Sequence, residues 1–121
     1  MKKLVALFLV CAPLQVSAEV MDYIKCKTNS GKTIADVQAW QKDWRALAKK
    51  KGVEYQLRIL VPHADSQMHA DEFFVEGRTP TLAAHAKAWD WWYTDPDALA
   101  SNKQLQGAAT CDSGSIYRST D

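Results

Sequence analysis

A histidine and two tryptophans recur at helical spacing in the second half of the chain. His85, Trp89 and Trp92 occupy positions i, i+4 and i+7, so a helix would place all three on one face. An imidazole can act as a base or a hydrogen-bond donor, and indole rings form an aromatic wall, which together are the elements of a small-molecule pocket. These three residues are therefore the candidate ligand pocket. Tryptophans at this spacing are also typical of plain core packing, and that alternative stays open.

A polar stretch in the middle of the chain collects side chains that can bind metals. It contains His63, Asp65, Met68, His69 and Asp71. Imidazole with thioether suits copper, and imidazole with carboxylate suits zinc. The spacing matches no strong metal-binding motif, however, and long polar loops accumulate such residues by chance. We therefore expect no cofactor, and we retain His63, Met68 and His69 only as a weak candidate metal site.

Two of the three cysteines, Cys26 and Cys111, lie near opposite ends of the chain that remains after a short N-terminal segment is removed. In an exported domain of this size, such a pair predicts one disulfide that joins the first structural element to the last. Other reactive motifs are missing from the sequence. No glycine-flanked serine elbow occurs, and Gly31-Lys32-Thr33 lacks the upstream glycine of a phosphate-binding loop.

Residues 1–18 have the features of a cleavable signal peptide. Two lysines precede an apolar run, and Val16-Ser17-Ala18 supplies small residues at the cleavage positions. A membrane span needs roughly 20 apolar residues, and this run is too short and is interrupted by Pro13. The sequence thus predicts a bacterial periplasmic or secreted protein whose mature domain comprises residues 19–121.

The charge pattern gives no indication of nucleic-acid binding. The formal net charge is +1, and charges of both signs are scattered along the chain. The nearest basic cluster, Lys49-Lys50-Lys51, precedes Gly52 and is typical of a helix C-terminus. We therefore expect neither nucleic acid nor, after signal cleavage, a membrane as a partner.

Hydrophobic periodicity predicts the elements that would position these residues. The first helix covers residues 33–51 and begins with a capping-box pair, Thr33 and Asp36. The second helix begins with Thr79 as its cap and has an apolar face of Leu82, Ala86, Trp89 and Tyr93. A third, shorter helix follows from Pro96 to Gln106 and stops at Gly107. Alternating patterns predict strands at Val20–Lys27, Val53–Val61, Asp71–Gly77 and residues 108–113.

The order of these elements predicts a ferredoxin-like α+β fold. It reads βαββαβ with an extra short helix before the last strand, and in this arrangement the helices cover one face of an antiparallel sheet. The first and fourth strands then lie side by side, so Cys26 and Cys111 should face each other across neighbouring strands. The cysteine pair and the element order therefore support the same single domain.

Several short motifs resemble a group of small exported proteobacterial proteins of unassigned function. They are Gly31-Lys32-Thr33, Asp36-Val37, Phe73 to Gly77 and Cys111-Asp112-Ser113. This group is similar to the dimeric α+β barrel superfamily, which contains cofactor-independent monooxygenases, haem-using relatives and members that only bind. The resemblance implies a homodimer formed through the exposed sheet faces and implies no particular reaction. The chain departs from the group between His63 and His69 and at Gly114.

The outward face of the sheet is where such a dimer would form. We expect it to expose apolar and charged residues together: Tyr23, Leu60 and Phe74, with Lys25, Lys27, Glu72 and Glu76. The leading hypothesis is a non-catalytic, homodimeric exported protein that binds a small ligand. The alternative is a small cofactor-independent monooxygenase-like enzyme that uses His85, Trp89 and Trp92. A filled interior would favour the first hypothesis, and an apolar cavity with a polar group at its end would favour the second.

Overall fold

The structure is a computed structural model that describes residues 18–64 and 67–120. Its elements follow one another along the chain as β1 (Val20–Thr28), α1 (Ile34–Lys51), β2 (Gln56–Leu60), β3 (Glu72–Thr79), α2 (Leu82–Thr94), α3 (Pro96–Ala108) and β4 (Ala109–Arg118). The strands form one antiparallel sheet in the order β2-β3-β1-β4, and the helices cover one face of it. The predicted ferredoxin-like fold is confirmed. The predicted signal peptide lies, apart from Ala18, outside the described residues.

The first helix, α1, follows the sequence prediction closely. The Thr33 backbone N–H donates to the Asp36 carboxylate at 2.8 Å, and this bond holds the pKa of that carboxyl below its usual value. Gly52 closes the helix in the left-handed conformation, with φ at 67°. Between these ends, Val37, Trp40 and Trp44 are buried at spacings of three and four residues. One stripe of α1 therefore packs against the sheet.

Alternation along the strands decides which side chains face the helices. In the pairing of β1 with β3, Cys26 lies opposite Phe73, and Asp22 lies opposite Gly77. Cys26 and Phe73 belong to the main hydrophobic core, together with Trp40 and Trp44 of α1. Asp22 has the same parity as Cys26, so β1 also directs one carboxylate toward the helices.

The disulfide between Cys26 and Cys111 is confirmed. The two residues are register partners in β1 and β4, and their sulfur atoms are bonded at 2.05 Å. The register shifts beside the bridge, where Ile24 pairs with Gly114, so β4 carries a bulge there. Closing a loop of 85 residues stabilises the fold by about 4 to 5 kcal/mol in the chain-entropy model.

The start of α2 differs from the prediction. The N-cap is Thr81, whose hydroxyl accepts a hydrogen bond from the Ala84 N–H at 3.0 Å, whereas Thr79 is the last residue of β3. The predicted apolar face is also wrong, because Leu82 and Tyr93 are 62% and 57% exposed. The helix instead buries His85 and Ala88. Strand β3 thus extends two residues beyond the predicted Gly77, and α2 begins correspondingly later.

The C-terminal elements are longer than predicted. Helix α3 continues through Gly107 to Ala108, and β4 runs to Arg118 rather than ending at residue 113. The polar tail forms a strand because it pairs with β1 over most of the length of β1, from Thr28 opposite Ala109 to Val20 opposite Arg118. Backbone hydrogen bonding to a long neighbour compensates for the weak strand pattern of the sequence.

The edge of the sheet at β2 is covered by side chains of α1. Arg45 donates to the backbone carbonyl of Leu57 through Nε at 3.0 Å and through a terminal nitrogen at 2.7 Å. Gln41 donates to the same carbonyl at 3.1 Å. Strand β2 itself begins at Gln56, so Tyr55 precedes the strand in which it was predicted.

The outward face of the sheet carries the expected mixture of polar and apolar side chains. Lys25 and Glu72 pair across β1 and β3 at 3.2 Å. Glu76, predicted to be exposed, is only 2% exposed, because Arg58 and Arg78 cover it and bind its carboxylate. Of the helices formed by the described residues, none combines the length and apolarity that a membrane crossing requires.

Candidate functional site

A cavity of about 350 Å³ lies between the helices and the covered face of the sheet. Its walls are mainly aromatic, and they include Trp40, Trp44, Tyr55, Trp89, Trp92 and Tyr93. The floor is formed by the strand residues Ile24, Leu57 and Val75. A volume of this size lies at the lower end of the range found for small-molecule sites.

Two helices supply the tryptophans that form the walls. Trp40 and Trp44 come from the buried stripe of α1, and Trp92 comes from α2. The ring centres of Trp40 and Trp92 are 6.4 Å apart and those of Trp44 and Trp92 are 6.0 Å apart. Such tilted and edge-on contacts stabilise aromatic pairs and hold the rings in place. Ala88, which also lines the cavity, is small enough to leave space between the rings.

A buried carboxylate lies beside this cavity. Asp22 is only 1% exposed. The Tyr55 hydroxyl donates to Asp22 Oδ1 at 2.7 Å and to Oδ2 at 2.9 Å. The Trp89 indole N–H donates to Oδ2 at 3.2 Å. Because both Tyr55 and Trp89 line the cavity, they connect it directly to the carboxylate.

Gly77 makes room for this cluster. A Cβ atom at this position would lie 1.7 Å from the Tyr55 hydroxyl oxygen and 2.6 Å from Asp22 Oδ1. Real Cβ atoms do not approach other atoms so closely, so any larger residue would displace Tyr55. The backbone of β3 therefore forms a recess opposite Asp22, and the tyrosine hydroxyl occupies it.

His85 lies behind the aromatic wall, next to the carboxylate. Its Nδ1 is 3.7 Å from Asp22 Oδ2, which is beyond hydrogen-bonding distance. Its ring centre is 5.7 Å from that of Trp89 and 6.4 Å from that of Tyr55. The residue is 5% exposed, and within the described part of the chain neither ring nitrogen has a hydrogen-bond partner. His85 is thus a buried imidazole with unused polar atoms.

The electrostatics of the cluster keep Tyr55 neutral. Burial raises the pKa of the Tyr55 phenol, and the neighbouring charge of Asp22 raises it further. The phenol therefore retains its proton and donates a hydrogen bond to the carboxylate. No lysine or arginine among the described residues forms an ion pair with Asp22.

The structure separates the three residues predicted to form a pocket. Trp89 and Trp92 line the cavity, whereas His85 faces the carboxylate. Sequence reasoning missed Asp22, Tyr55 and Gly77 as members of the site. A signal for Asp22 was present, because in β1 it is an acidic residue with the parity of Val20, Ile24 and Cys26.

The candidate metal site in the β2–β3 loop stays a prediction. Within residues 18–64 and 67–120, no group of three or more His, Cys, Asp or Glu side chains is placed to hold a metal ion. Asp65, one of the predicted loop residues, lies outside the described residues. The backbone N–H of His69 donates to the Glu72 carboxylate at 3.0 Å, so this end of the loop has a structural role.

Comparison with known proteins shows similarity of fold. No protein-family model and no curated protein matches the sequence. Among solved structures, SnoaB, a cofactor-independent oxygenase from Streptomyces nogalater, is similar with a TM-score of 0.58 at 11% identity, over 87% of this chain and 96% of that one. A Chloroflexus aurantiacus protein, described as a candidate antibiotic biosynthesis monooxygenase, is similar with a TM-score of 0.52 at 9% identity, over 85% and 94%.

A conserved protein of unknown function from Bacteroides thetaiotaomicron is also similar to this chain in structure. Its TM-score is 0.58 at 10% identity, over 85% of this chain and 99% of that one. These neighbours agree with the βαββαβ fold that the order of elements predicted. At such identities, the similarity concerns the arrangement of strands and helices and does not extend to site residues.

Proposed function

We propose that this protein binds a flat, largely apolar small molecule in the cavity between its helices and its sheet. The observation that carries the proposal is the aromatic cavity itself. The space of about 350 Å³ is partly open to solvent and is lined mainly by aromatic and aliphatic side chains, as is typical of small-molecule sites. Tryptophan faces and edges complement planar rings, and contact with them removes apolar surface of such a ligand from water.

The proposal is tested by filling the cavity. Ala88 lines it and is 4% exposed, so Ala88→Leu places three additional carbon atoms in the space that the ligand would use. Ala86 is exposed on the same helix, and Ala86→Leu is the matched control. We expect 2-naphthol to bind the unmodified protein and the control equally in isothermal titration calorimetry, and to bind Ala88→Leu at least about tenfold more weakly. Equal binding to all three proteins would contradict the proposal.

A reaction of the cofactor-independent monooxygenase type is the second candidate function. The observation that favours it is the buried Asp22 carboxylate, which lies behind Tyr55 and Trp89 of the cavity wall. In this candidate function, the carboxylate would be the base that takes a proton from an activated C–H bond of a flat substrate. The resulting carbanion would reduce O₂, after which one oxygen atom forms a carbonyl on the substrate and the other leaves as water. The fold of SnoaB supports this candidate at the level of architecture alone.

This second candidate has its own experiment. Oxygen uptake would be followed with a panel of flat polycyclic phenols and ketones, and products would be checked by mass spectrometry for a gain of one oxygen and a loss of two hydrogens. We expect Asp22→Asn to abolish this turnover while calorimetry still detects ligand binding. Binding without turnover by the unmodified protein leaves the non-catalytic function that the sequence favoured.

We further propose a homodimer formed through the open face of the sheet. On that face Tyr23, Leu60 and Phe74 are partly exposed between charged neighbours, as is common for an interface of moderate polarity. Light scattering at micromolar concentration should give the mass of a dimer, and Phe74→Glu should convert it to a monomer. A monomer mass for the unmodified protein would contradict this assembly.

Export to the periplasm or the medium is also proposed. The disulfide supports it, because such bonds persist in oxidising compartments. N-terminal sequencing of the protein from a periplasmic extract should begin at Glu19. A mature protein that retains residues 1–18 would contradict cleavage. Native mass spectrometry of the same preparation would reveal a small molecule that remains bound.

A further inference from the structure

We infer that the ligand of this cavity is a flat aromatic cation. The inference rests on the proposed binding function and specifies the charge of the molecule that is bound. It follows from the charges and dipoles around the cavity, which favour a positive ligand at more than one place.

The lining of the cavity carries charge of one sign. Within the described part of the chain, Asp112 is the charged residue of the lining, which includes no lysine, arginine or histidine. Asp112 is exposed, and it forms no ion pair with a lysine or arginine of residues 18–64 and 67–120. Arg45 contacts the lining residue Leu57, but at its backbone carbonyl on the edge of the sheet, where water screens the exposed guanidinium. A cation in the cavity therefore has a counter-charge, and an anion has none.

A second negative charge lies behind the wall. Tyr55 and Trp89 line the cavity and donate hydrogen bonds to the buried Asp22 carboxylate. These neutral donors stabilise the charge without cancelling it, because neither brings a positive charge of its own. Electrostatic interactions are weakly screened inside a protein, so a charge that lies one side chain away from the cavity still acts on a ligand. Asp22 thus adds to the negative potential of the cavity.

The end of helix α3 acts in the same direction. Leu105 and Gln106, from the last turn of α3, line the cavity. The backbone dipoles of a helix sum to a partial negative charge at this end. Lys49, Lys50 and Lys51 balance that charge in α1, but the last turn of α3 contains no basic residue. Asn29 donates to the Gln106 carbonyl at 2.9 Å, and its amide is neutral. The end of α3 is therefore a further source of negative potential beside the ligand.

The aromatic lining suits a cation of a particular kind. The faces of tryptophan and tyrosine rings attract positive charge through the ring quadrupole. A charge that is spread over a flat ring system is weakly hydrated, so the cost of removing it from water is low. The cavity is also partly open to solvent, which lets the ligand keep part of its hydration. A planar, delocalised cation therefore matches both the shape and the charge of the site.

The experiment compares three flat bicyclic probes that differ in charge. 1-Methylquinolinium is a cation, 1-methylnaphthalene is its neutral isostere, and 1-naphthoate is an anion. His85 lies beside Asp22, with Nδ1 3.7 Å from Oδ2, so calorimetry is run at about pH 8, above the range in which imidazole is ordinarily protonated. We expect the cation to bind about tenfold more tightly than its neutral isostere, and the anion to bind about tenfold more weakly than the isostere.

Substitutions of the two carboxylates assign the effect. Asp112→Asn changes an exposed position, and it should weaken binding of 1-methylquinolinium by about threefold while 1-methylnaphthalene binds as before. Asp90→Asn is the matched control, because Asp90 is exposed on α2 and is not part of the lining. It should leave the binding of both probes unchanged. Asp22→Asn removes the buried charge and should weaken binding of the cation by about tenfold.

The outcomes separate this inference from the proposed function. If 1-naphthoate binds the unmodified protein as tightly as 1-methylquinolinium, the inference is overturned, while the binding of flat molecules stands. If none of the three probes binds, the proposed function fails as well. A preference for the cation that is unchanged in Asp112→Asn and Asp22→Asn, or that falls equally in Asp90→Asn, overturns the assignment to these carboxylates. The comparison of probes needs no variant, so it decides the inference even if Asp22→Asn fails to fold.

Discussion

Two buried carboxylates lie on opposite faces of this sheet and are held in different ways. Asp22 is 1% exposed and faces the helices, and Glu76 is 2% exposed and faces outward. They are neighbours, because Asp22 lies opposite Gly77 and Glu76 lies opposite Tyr23 in the pairing of β1 with β3. Because the two carboxylates are equally buried, any difference in their behaviour must come from their hydrogen-bond and ion-pair partners.

Cations and a phenol surround Glu76. Arg58 donates to its Oε1 through Nε at 2.7 Å, and Arg78 does so at 2.9 Å. Burial opposes the charge of Glu76, but hydrogen bonds from Arg58, Tyr23 and Arg78 outweigh it and lower the pKa of the carboxyl. Among the described residues, Asp22 receives hydrogen bonds only from the neutral groups of Tyr55 and Trp89. The outer carboxylate is thus held in its charged form by two cations, whereas the inner one is held by neutral hydrogen-bond donors.

The largest effect should follow from filling the recess opposite Asp22. In Gly77→Ala the new methyl group would overlap the Tyr55 hydroxyl, so Tyr55 must leave Asp22. Overpacking and a broken buried hydrogen bond together should lower the free energy of unfolding by roughly 3 to 4 kcal/mol. Urea denaturation measures this change.

Gly107→Ala is the control for that substitution. Gly107 lies within α3, and a Cβ there would meet no atom within 4 Å beyond its chain neighbours and the backbone of its own helix. Alanine in place of a helical glycine should stabilise the protein by up to about 1 kcal/mol. Equal effects of the two changes would show that the recess at Gly77 is not needed for the cluster.

The second-largest effect should come from replacing a tyrosine by phenylalanine, and this change can be compared on the two faces of the sheet. Tyr55→Phe removes the main hydrogen-bond donor to Asp22. We expect the free energy of unfolding to fall by about 2 kcal/mol, because the carboxylate stays buried. Tyr23→Phe removes a hydroxyl that hydrogen-bonds to Glu76, but Arg58 and Arg78 remain. A clearly smaller loss should result. If Tyr23→Phe were as damaging as Tyr55→Phe in urea denaturation, the contrast between the two carboxylates would not hold.

The smallest effect concerns the response of the outer carboxylate to acid. The pKa of Glu76 is lower in the folded protein than its ordinary value of 4.5. Its contribution to stability is therefore complete above about pH 4.5 and is lost as the pH falls through the lower, folded value. Urea midpoints measured from pH 6 to pH 3 should fall more steeply for the unmodified protein than for Glu76→Gln. Parallel curves would contradict this assignment.

The fold was predictable because several local signals agreed. Alternation identified the strands, the Thr33 and Asp36 pair identified the start of α1, and the two cysteines required β1 and β4 to be neighbours. Boundaries were less predictable where tertiary pairing decides them. Strand β4 reaches Arg118 because β1 offers a partner over most of its length, and no property of the polar tail indicates this.

The site was only partly predictable. Helical spacing placed Trp89 and Trp92 on one face of a helix, and both side chains line the cavity. The cluster of Asp22, Tyr55 and Gly77 depends on register between strands and on a residue that lies just outside β2, and neither can be read from spacing along the chain. The role of Gly77 is especially difficult to predict from sequence, because it consists of leaving space for the side chain of another residue.

The covered edge of β2 has a consequence for the behaviour of the protein at high concentration. Arg45 and Gln41 already occupy the outward carbonyl of Leu57. A strand from another molecule that approached this side would have to displace two side chains before it could form a ladder. The edge is therefore a poor template for aggregation, and a charged residue of α1 protects the sheet without belonging to it.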